Sequence, residues 1–220
     1  MNGVFVTGTG TGVGKTRVSC LLLEAARRAG VLACGYKPVV CGEREDAYLL
    51  QRASGGEDVV TLDELNPVWL KSPASPMAAG MIEGREMDVD LLMAGMRSLA
   101  DRYKFLLVEG AGGWEVPVRA DYSMADLAVE MGLPVVVVVD NKLGALNHTI
   151  LTVKALLARG LECVGIVLNQ VEDERDSASI SNRAVLEAVL PGVPVLLEVM
   201  HGETEVEWVF GGDAGTLGRG

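Results

Sequence analysis

The ten residues Thr7-Gly8-Thr9-Gly10-Thr11-Gly12-Val13-Gly14-Lys15-Thr16 limit what this chain can fold into. The apolar run Val4-Phe5-Val6 precedes them, and helical spacing follows in Val18, Leu21, Leu22, Ala25 and Ala26. Strand, glycine-rich turn and helix in that order is the setting of a phosphate-binding loop, where small residues let successive backbone N–H groups curl around phosphate oxygens. Gly12, Val13 and Gly14 supply that backbone, and the helix N-terminus adds partial positive charge. Lys15 is placed to reach the β- and γ-phosphates, and the Thr16 hydroxyl to ligate Mg²⁺. One position departs from the usual spacing: Thr9 stands where a Gly is common, and Gly8 comes one step early. The flanking strand and helix still make this a nucleotide site.

Further along, short apolar runs alternate with helical spacing. Val31 to Val40 reads as a second strand leaving the core at Lys37-Pro38, and Asp46 as the cap of a helix through Ala47, Leu49, Leu50 and Ala53. Residues 54–80, with Pro67, Pro73 and Pro76, read as loop, and Asp88 to Tyr103 as helix. Phe105 to Val108 ends in Glu109 and a glycine turn, the pattern of a buried parallel strand carrying a carboxylate to its C-terminal edge. Val135 to Val139, Cys163 to Leu168 and Val195 to Val199 complete the strands, with helices over about 124–131, 147–158 and 179–189. Such alternation predicts an α/β fold: a single domain over residues 1–220, with a mostly parallel central sheet covered by helices on both faces. From Gly202 onward the sequence reads as a poorly ordered tail.

The chain carries 30 acidic against 19 basic residues, a net charge of −11, which argues against general affinity for nucleic acid or an anionic membrane. Cys20, Cys34, Cys41 and Cys163 are scattered, so neither a disulfide framework nor a zinc site is expected. With no basic-then-apolar leader and no apolar run of membrane length, the expected location is the cytoplasm.

Ligands of open α/β sheets sit beyond the strand C-terminal ends, and the candidate residues converge there: the glycine loop, Lys37, Glu109, Asp140 to Gly144, and Asn169. Lys15 and Lys37 together would neutralise charge on a transferring phosphoryl group. Glu109, ending a strand buried on both faces, needs a cation: Mg²⁺ shared with Thr16 is the first choice, a lysine the plainer one. Asn141-Lys142-Leu143-Gly144 lacks the carboxylate that would enforce guanine. Asn169 offers a purine edge both donor and acceptor, and an amide free to reorient predicts only a modest preference for ATP. His148 and His201 stand beside no nucleophile or ligand cluster.

Four segments resemble the dethiobiotin synthase family: Gly8 to Thr16, Gly35-Tyr36-Lys37-Pro38-Val39, Val108-Glu109-Gly110-Ala111-Gly112-Gly113-Trp114 with Pro117, and Lys142-Leu143-Gly144-Ala145-Leu146-Asn147-His148. The resemblance implies ATP- and Mg²⁺-dependent closure of a ureido ring from 7,8-diaminononanoate and CO₂. It further implies Thr16, Asp46 and Glu109 as metal ligands, Lys15, Lys37 and Thr11 as catalytic residues, and Asn169 at adenine. Thr11, Lys37, Cys41, Gly112, Leu143, Gly144 and Asn147 would hold the diamine. It implies a homodimer, the Leu143 to Asn147 turn of one subunit reaching the other's substrate. Gly12 stands where some members carry Glu, Cys41 replaces a usual Ser or Thr, and the loop from Gly42 to Asp46 is short. A partitioning-type ATPase switch, or another ATP-dependent ligase of this fold, is the alternative; the former usually carries an additional lysine early in the loop, where this chain has Gly and Thr.

Overall fold

The computed structural model describes residues 2–174 and 176–211. Strand β1 (Gly3–Gly8) runs into the glycine loop and helix α1 (Lys15–Arg28). The expected second strand is two: β2 (Ala33–Tyr36) and β3 (Val39–Cys41). Lys37-Pro38 separates them because Pro38 has no N–H to continue a ladder. Helix α2 (Glu45–Ala53) is followed by α3 (Leu62–Leu65), β4 (Val68–Leu70) and α4 (Pro76–Glu83), so the loop-rich stretch carries three short elements. Ser75 caps α4 by accepting from the Ala78 N–H, and Pro76 opens it with its φ already set. Then come α5 (Val89–Ala100), β5 (Phe105–Glu109), a small hairpin of β6 (Pro117–Arg119) and β7 (Tyr122–Ser123), and α6 (Met124–Met131). The chain continues through β8 (Val135–Asp140), α7 (Ala145–Ala158), β9 (Cys163–Asn169), α8 (Ser177–Val189) and β10 (Val195–Val199).

Six strands form one parallel sheet in the order β10-β9-β8-β1-β5-β2, while β3 pairs with β4 apart from it. The central strands are fully buried: all five valines of β8 lie in the core with Phe5, Val6, Leu107 and Val108. Each such side chain contributes roughly 1.5–3 kcal/mol on burial, which is why these strands read as unbroken apolar runs. With β1 at the centre, the loop that follows it opens over the C-terminal ends of β5 on one side and β8 and β9 on the other. This is the switch-point crevice where nucleotides bind in open α/β sheets.

The predicted poor order from Gly202 does not hold over the described residues. Trp208 and Phe210 pack with Phe105, ring centroids 5.0 and 5.4 Å away, and Phe210 is buried. Arg28 donates to the Val206 carbonyl, so the segment is strapped to α1. Two aromatic residues spaced for one apolar patch outweighed the glycines around them; the part of the predicted tail from 212 onward lies outside the described residues. Among the described residues no helix is long and apolar enough to cross a membrane.

Candidate active site

The glycine loop closes as its spacing predicts. Gly14 takes φ +84°, and a Cβ there would lie 2.1 Å from the Asn169 amide nitrogen, so both backbone and neighbour demand glycine. Lys15 folds back over the loop and donates to the Gly10 carbonyl at 3.0 Å. Burial lowers its pKa to about 8, helped by the nearby Lys37 ammonium and partly offset by Glu109 and Asp46.

Lys37 is the hinge of the charge cluster. Its ammonium lies 2.5 Å from Glu109 Oε1 and 3.2 Å from Asp46 Oδ2, and 3.4 Å from the Gly110 carbonyl. Burial alone would depress its pKa, but the two carboxylates outweigh it and raise the pKa above the usual lysine value. The two carboxylates thus favour the charged form of Lys37. Its backbone is pinned by the buried Asn66, whose amide donates to the Lys37 carbonyl at 2.8 Å and to the Val68 carbonyl at 3.0 Å. Arg44 in turn donates to Asn66 Oδ1 at 2.9 Å, which anchors the short Gly42 to Asp46 loop. Asp46 is not the helix cap: α2 begins at Glu45, with Asp46 in its first turn aimed at Lys37. Burial opposes ionisation of Asp46, but Lys37 and then the Thr16 hydroxyl hold its pKa below the ordinary value.

Glu109 is completely buried; its Oε1 accepts from Thr16 Oγ1 at 2.7 Å and from Lys37, while its Oε2 has no partner among the described residues. A buried carboxylate oxygen left bare is costly, and the Glu109 carboxylate shares Lys37 with Asp46 and accepts the Thr16 hydroxyl through its other oxygen. That oxygen set suits Mg²⁺, which takes one or two carboxylates and fills its remaining positions with water and phosphate oxygens. No cluster of three or more His, Cys, Asp or Glu exists among the described residues, so a metal here depends on Thr16 and on a nucleotide. Of the two expectations for Glu109, the structure shows the plainer one, a lysine partner: Lys37 is that partner.

A cavity of about 710 Å³ opens beside this cluster. Thr11, Gly12, Gly14, Lys15, Thr16, Lys37, Cys41, Asp46 and Gly112 all line it, far apart in sequence but brought to one sheet edge. Burial pushes the Cys41 thiol up to about 11, aided by Glu83, so it faces the cavity as a neutral, weak donor. The sequence assigned no role to Val39, Val40, Ala111, Val116 or the Pro73 to Pro76 segment, which complete the wall. The Ser-Pro pair at 75–76 was the available signal for the last of these.

Two groups of expected site residues lie elsewhere. Leu143, Gly144 and Asn147 are exposed on the turn opening α7 and do not line the cavity. Val13 and Asn169 lie on the other flank of the loop, with Asn169 only 1% exposed. The Asn169 Nδ2 donates to the Val13 carbonyl at 2.9 Å, and its Oδ1 accepts from Arg17 Nη1 at 2.7 Å. Both ends of the amide are held, so the expectation of a freely reorienting amide fails.

Fold and loop together define a P-loop protein with a cavity beside the phosphate loop. The fold is shared with the cell-division ATPase MinD of Pyrococcus furiosus (TM-score 0.58, 20% identity, 91% of this chain and 84% of that one). It is shared too with a ParA-family ATPase from Chlorobium tepidum (TM-score 0.54, 17% identity, 91% and 85%). A family model described as an AAA domain matches residues 2–203. The sequence is 45% identical over 203 residues to the ATP-dependent dethiobiotin synthetase BioD of Akkermansia muciniphila, covering 92% of this chain and 94% of that protein. The enzyme of the same name from Anaeromyxobacter dehalogenans is 46% identical over 201 residues (90% and 89%), and that of Serratia marcescens 41% over 195 (85% of each). The chain belongs to the family of ATP-dependent dethiobiotin synthetases.

Proposed function

We propose that this protein closes the ureido ring of dethiobiotin from 7,8-diaminononanoate, CO₂ and ATP, releasing ADP and phosphate. The observation that carries the proposal is the juxtaposition of two buried lysines and two carboxylates with a cavity sized for a second substrate. One amine of the diamine takes up CO₂ and loses a proton, giving a carbamate. A carbamate oxygen attacks the γ-phosphorus, ADP leaves, and a carbamic–phosphoric anhydride forms. The second amine then attacks the carbonyl carbon, and the C–O bond to phosphate breaks.

Lys15 and Lys37 flank the transferring group and compensate its charge; Lys37 stays protonated because Glu109 and Asp46 hold it so. Thr11, Gly112 and Cys41, which all line the cavity, position the diamine. Thr16, Asp46 and Glu109 are the residues that would hold Mg²⁺, which when bound supplies positive charge to the phosphate oxygens. Lys15 and Lys37 against Asp46 and Glu109 leave the protein's own site close to neutral, so the metal is needed to balance a triphosphate.

The protein acts as a cytoplasmic homodimer. Leu143, in the turn before α7, is 80% exposed and Leu151 on α7 60%, while Val153 and Leu156 on that helix are buried. That leaves an apolar face on α7 beside Asn147, suited to a second subunit whose diamine the turn would reach. The proposed reaction is tested by following ADP release with and without each co-substrate. Release should require 7,8-diaminononanoate and bicarbonate together; steady hydrolysis of ATP alone would instead mark a nucleotide switch.

A further inference from the structure

A nucleotide in the glycine loop has two flanks to choose between. The β5 flank carries Lys37, Asp46, Glu109 and the cavity; a γ-phosphate set against those charges would leave the base on the β9 side. There the loop meets Asn169 and the turn after β10, and one side chain ties all three together. Arg17, in the first turn of α1, donates through Nη1 to Asn169 Oδ1 at 2.7 Å. Its Nη2 donates to the carbonyls of Met200 at 2.6 Å and Glu203 at 2.9 Å. Glu203 closes the turn from the other side, its Oε2 accepting the Met200 N–H at 2.8 Å.

Chemistry fixes which way the amide points. A guanidinium only donates, so the atom facing Arg17 is the carbonyl oxygen; a backbone carbonyl only accepts, so the atom facing Val13 is the NH₂. Turning the amide over would set oxygen against oxygen at Val13 and donor against donor at Arg17. The distinction matters for a base. Adenine presents a donor at its 6-position beside an acceptor, and guanine the reverse. An amide held in one orientation matches one of these and leaves the other unpaired, whereas a rotating amide serves both.

We infer that Arg17 is a specificity-positioning residue of the nucleotide site: by locking the Asn169 amide and the Met200 to Glu203 turn, it sets the preference for ATP over GTP. The inference rests on the nucleotide site described above, not on the ring-closing chemistry. It makes discrimination a property of the Arg17–Asn169 pair and sharper than Asn169 alone would give.

The test is calorimetric binding of MgATP and MgGTP to the parent, Arg17→Ala, Arg17→Lys, Asn169→Ala and the Arg17→Ala/Asn169→Ala double variant, with Tm recorded for each. Arg17→Ala should lower the ratio of ATP to GTP affinity by about tenfold, the scale of one hydrogen bond made or left unpaired. Arg17→Lys, which keeps one donor, should fall between Ala and parent. In the Asn169→Ala background, removing Arg17 should leave the ratio where Asn169→Ala put it. An unchanged ratio in Arg17→Ala, an equal loss of both nucleotides with lowered Tm, or the same further drop without Asn169 would each overturn the inference. Because binding is read without turnover, a parent that binds ATP yet makes no dethiobiotin would overturn the assigned reaction and leave the Arg17 result standing.

Discussion

Lys37 and Glu109 show how single side chains are made to serve a charged ligand. Both are buried, and each is the other's main compensation, with Asp46 and Thr16 completing the contacts. Glu109 keeps one oxygen unpartnered among the described residues, and that oxygen is the reason to assign it to a metal as well as to Lys37. Glu109→Gln keeps the shape and removes the charge. The Mg²⁺ concentration needed for half-maximal turnover should rise about tenfold or more, with a smaller loss at saturating Mg²⁺. An Mg²⁺ titration identical to the parent's would reduce Glu109 to an anchor for Lys37. The meeting of Lys37 and Glu109 at one sheet edge was legible from their places at strand ends. Arg17 was not, because an arginine on the first turn of a helix looks like any surface cation until β9 and the turn after β10 fold beside it.

At the scale of elements, what could be read were the strands buried on both faces and the helices of regular apolar spacing. β1, α1, β5, β8, α6 and β10 fall close to where the pattern put them, since burial forces periodicity into their sequence. The failures lie where partners are short or distant. β3 finds β4 across a proline and an intervening pair of helices, and β6 with β7 makes a hairpin too small to leave a pattern. α8 began earlier than its apolar spacing showed, because its start is set by a cap. Asp176 Oδ1 accepts the Ser179 N–H at 2.6 Å while its Oδ2 accepts the Leu143 N–H at 2.7 Å. One carboxylate thus joins the start of α8 to the turn that opens α7. Asp176→Ala should loosen that turn, raising the KM for the diamine several-fold while the KM for ATP changes little. A rise confined to ATP would place the turn on the wrong substrate.

For the whole molecule, the parallel sheet fixes which residues can meet, and the second subunit is proposed to complete what one chain leaves open. Leu143, Gly144 and Asn147 stand outside the cavity of their own chain, so the part in binding the diamine proposed for them would require a neighbour. Mixing Asn147→Ala with Lys15→Ala subunits tests this, since each variant spoils a different half of a composite site. Random exchange should recover up to about a quarter of parental activity, because half the dimers are mixed and each has one intact site. No recovery, or a monomer in sedimentation, would remove the shared site. The reaction itself is tested most directly by the fate of bicarbonate oxygen. A carbamate that attacks the γ-phosphorus through oxygen must leave that oxygen on the phosphate when the ring closes. With ¹⁸O-labelled bicarbonate and turnover faster than exchange with water, the released phosphate should carry one labelled oxygen per molecule of dethiobiotin formed. Unlabelled phosphate accompanying dethiobiotin would contradict the anhydride and with it the roles given to Lys15 and Lys37.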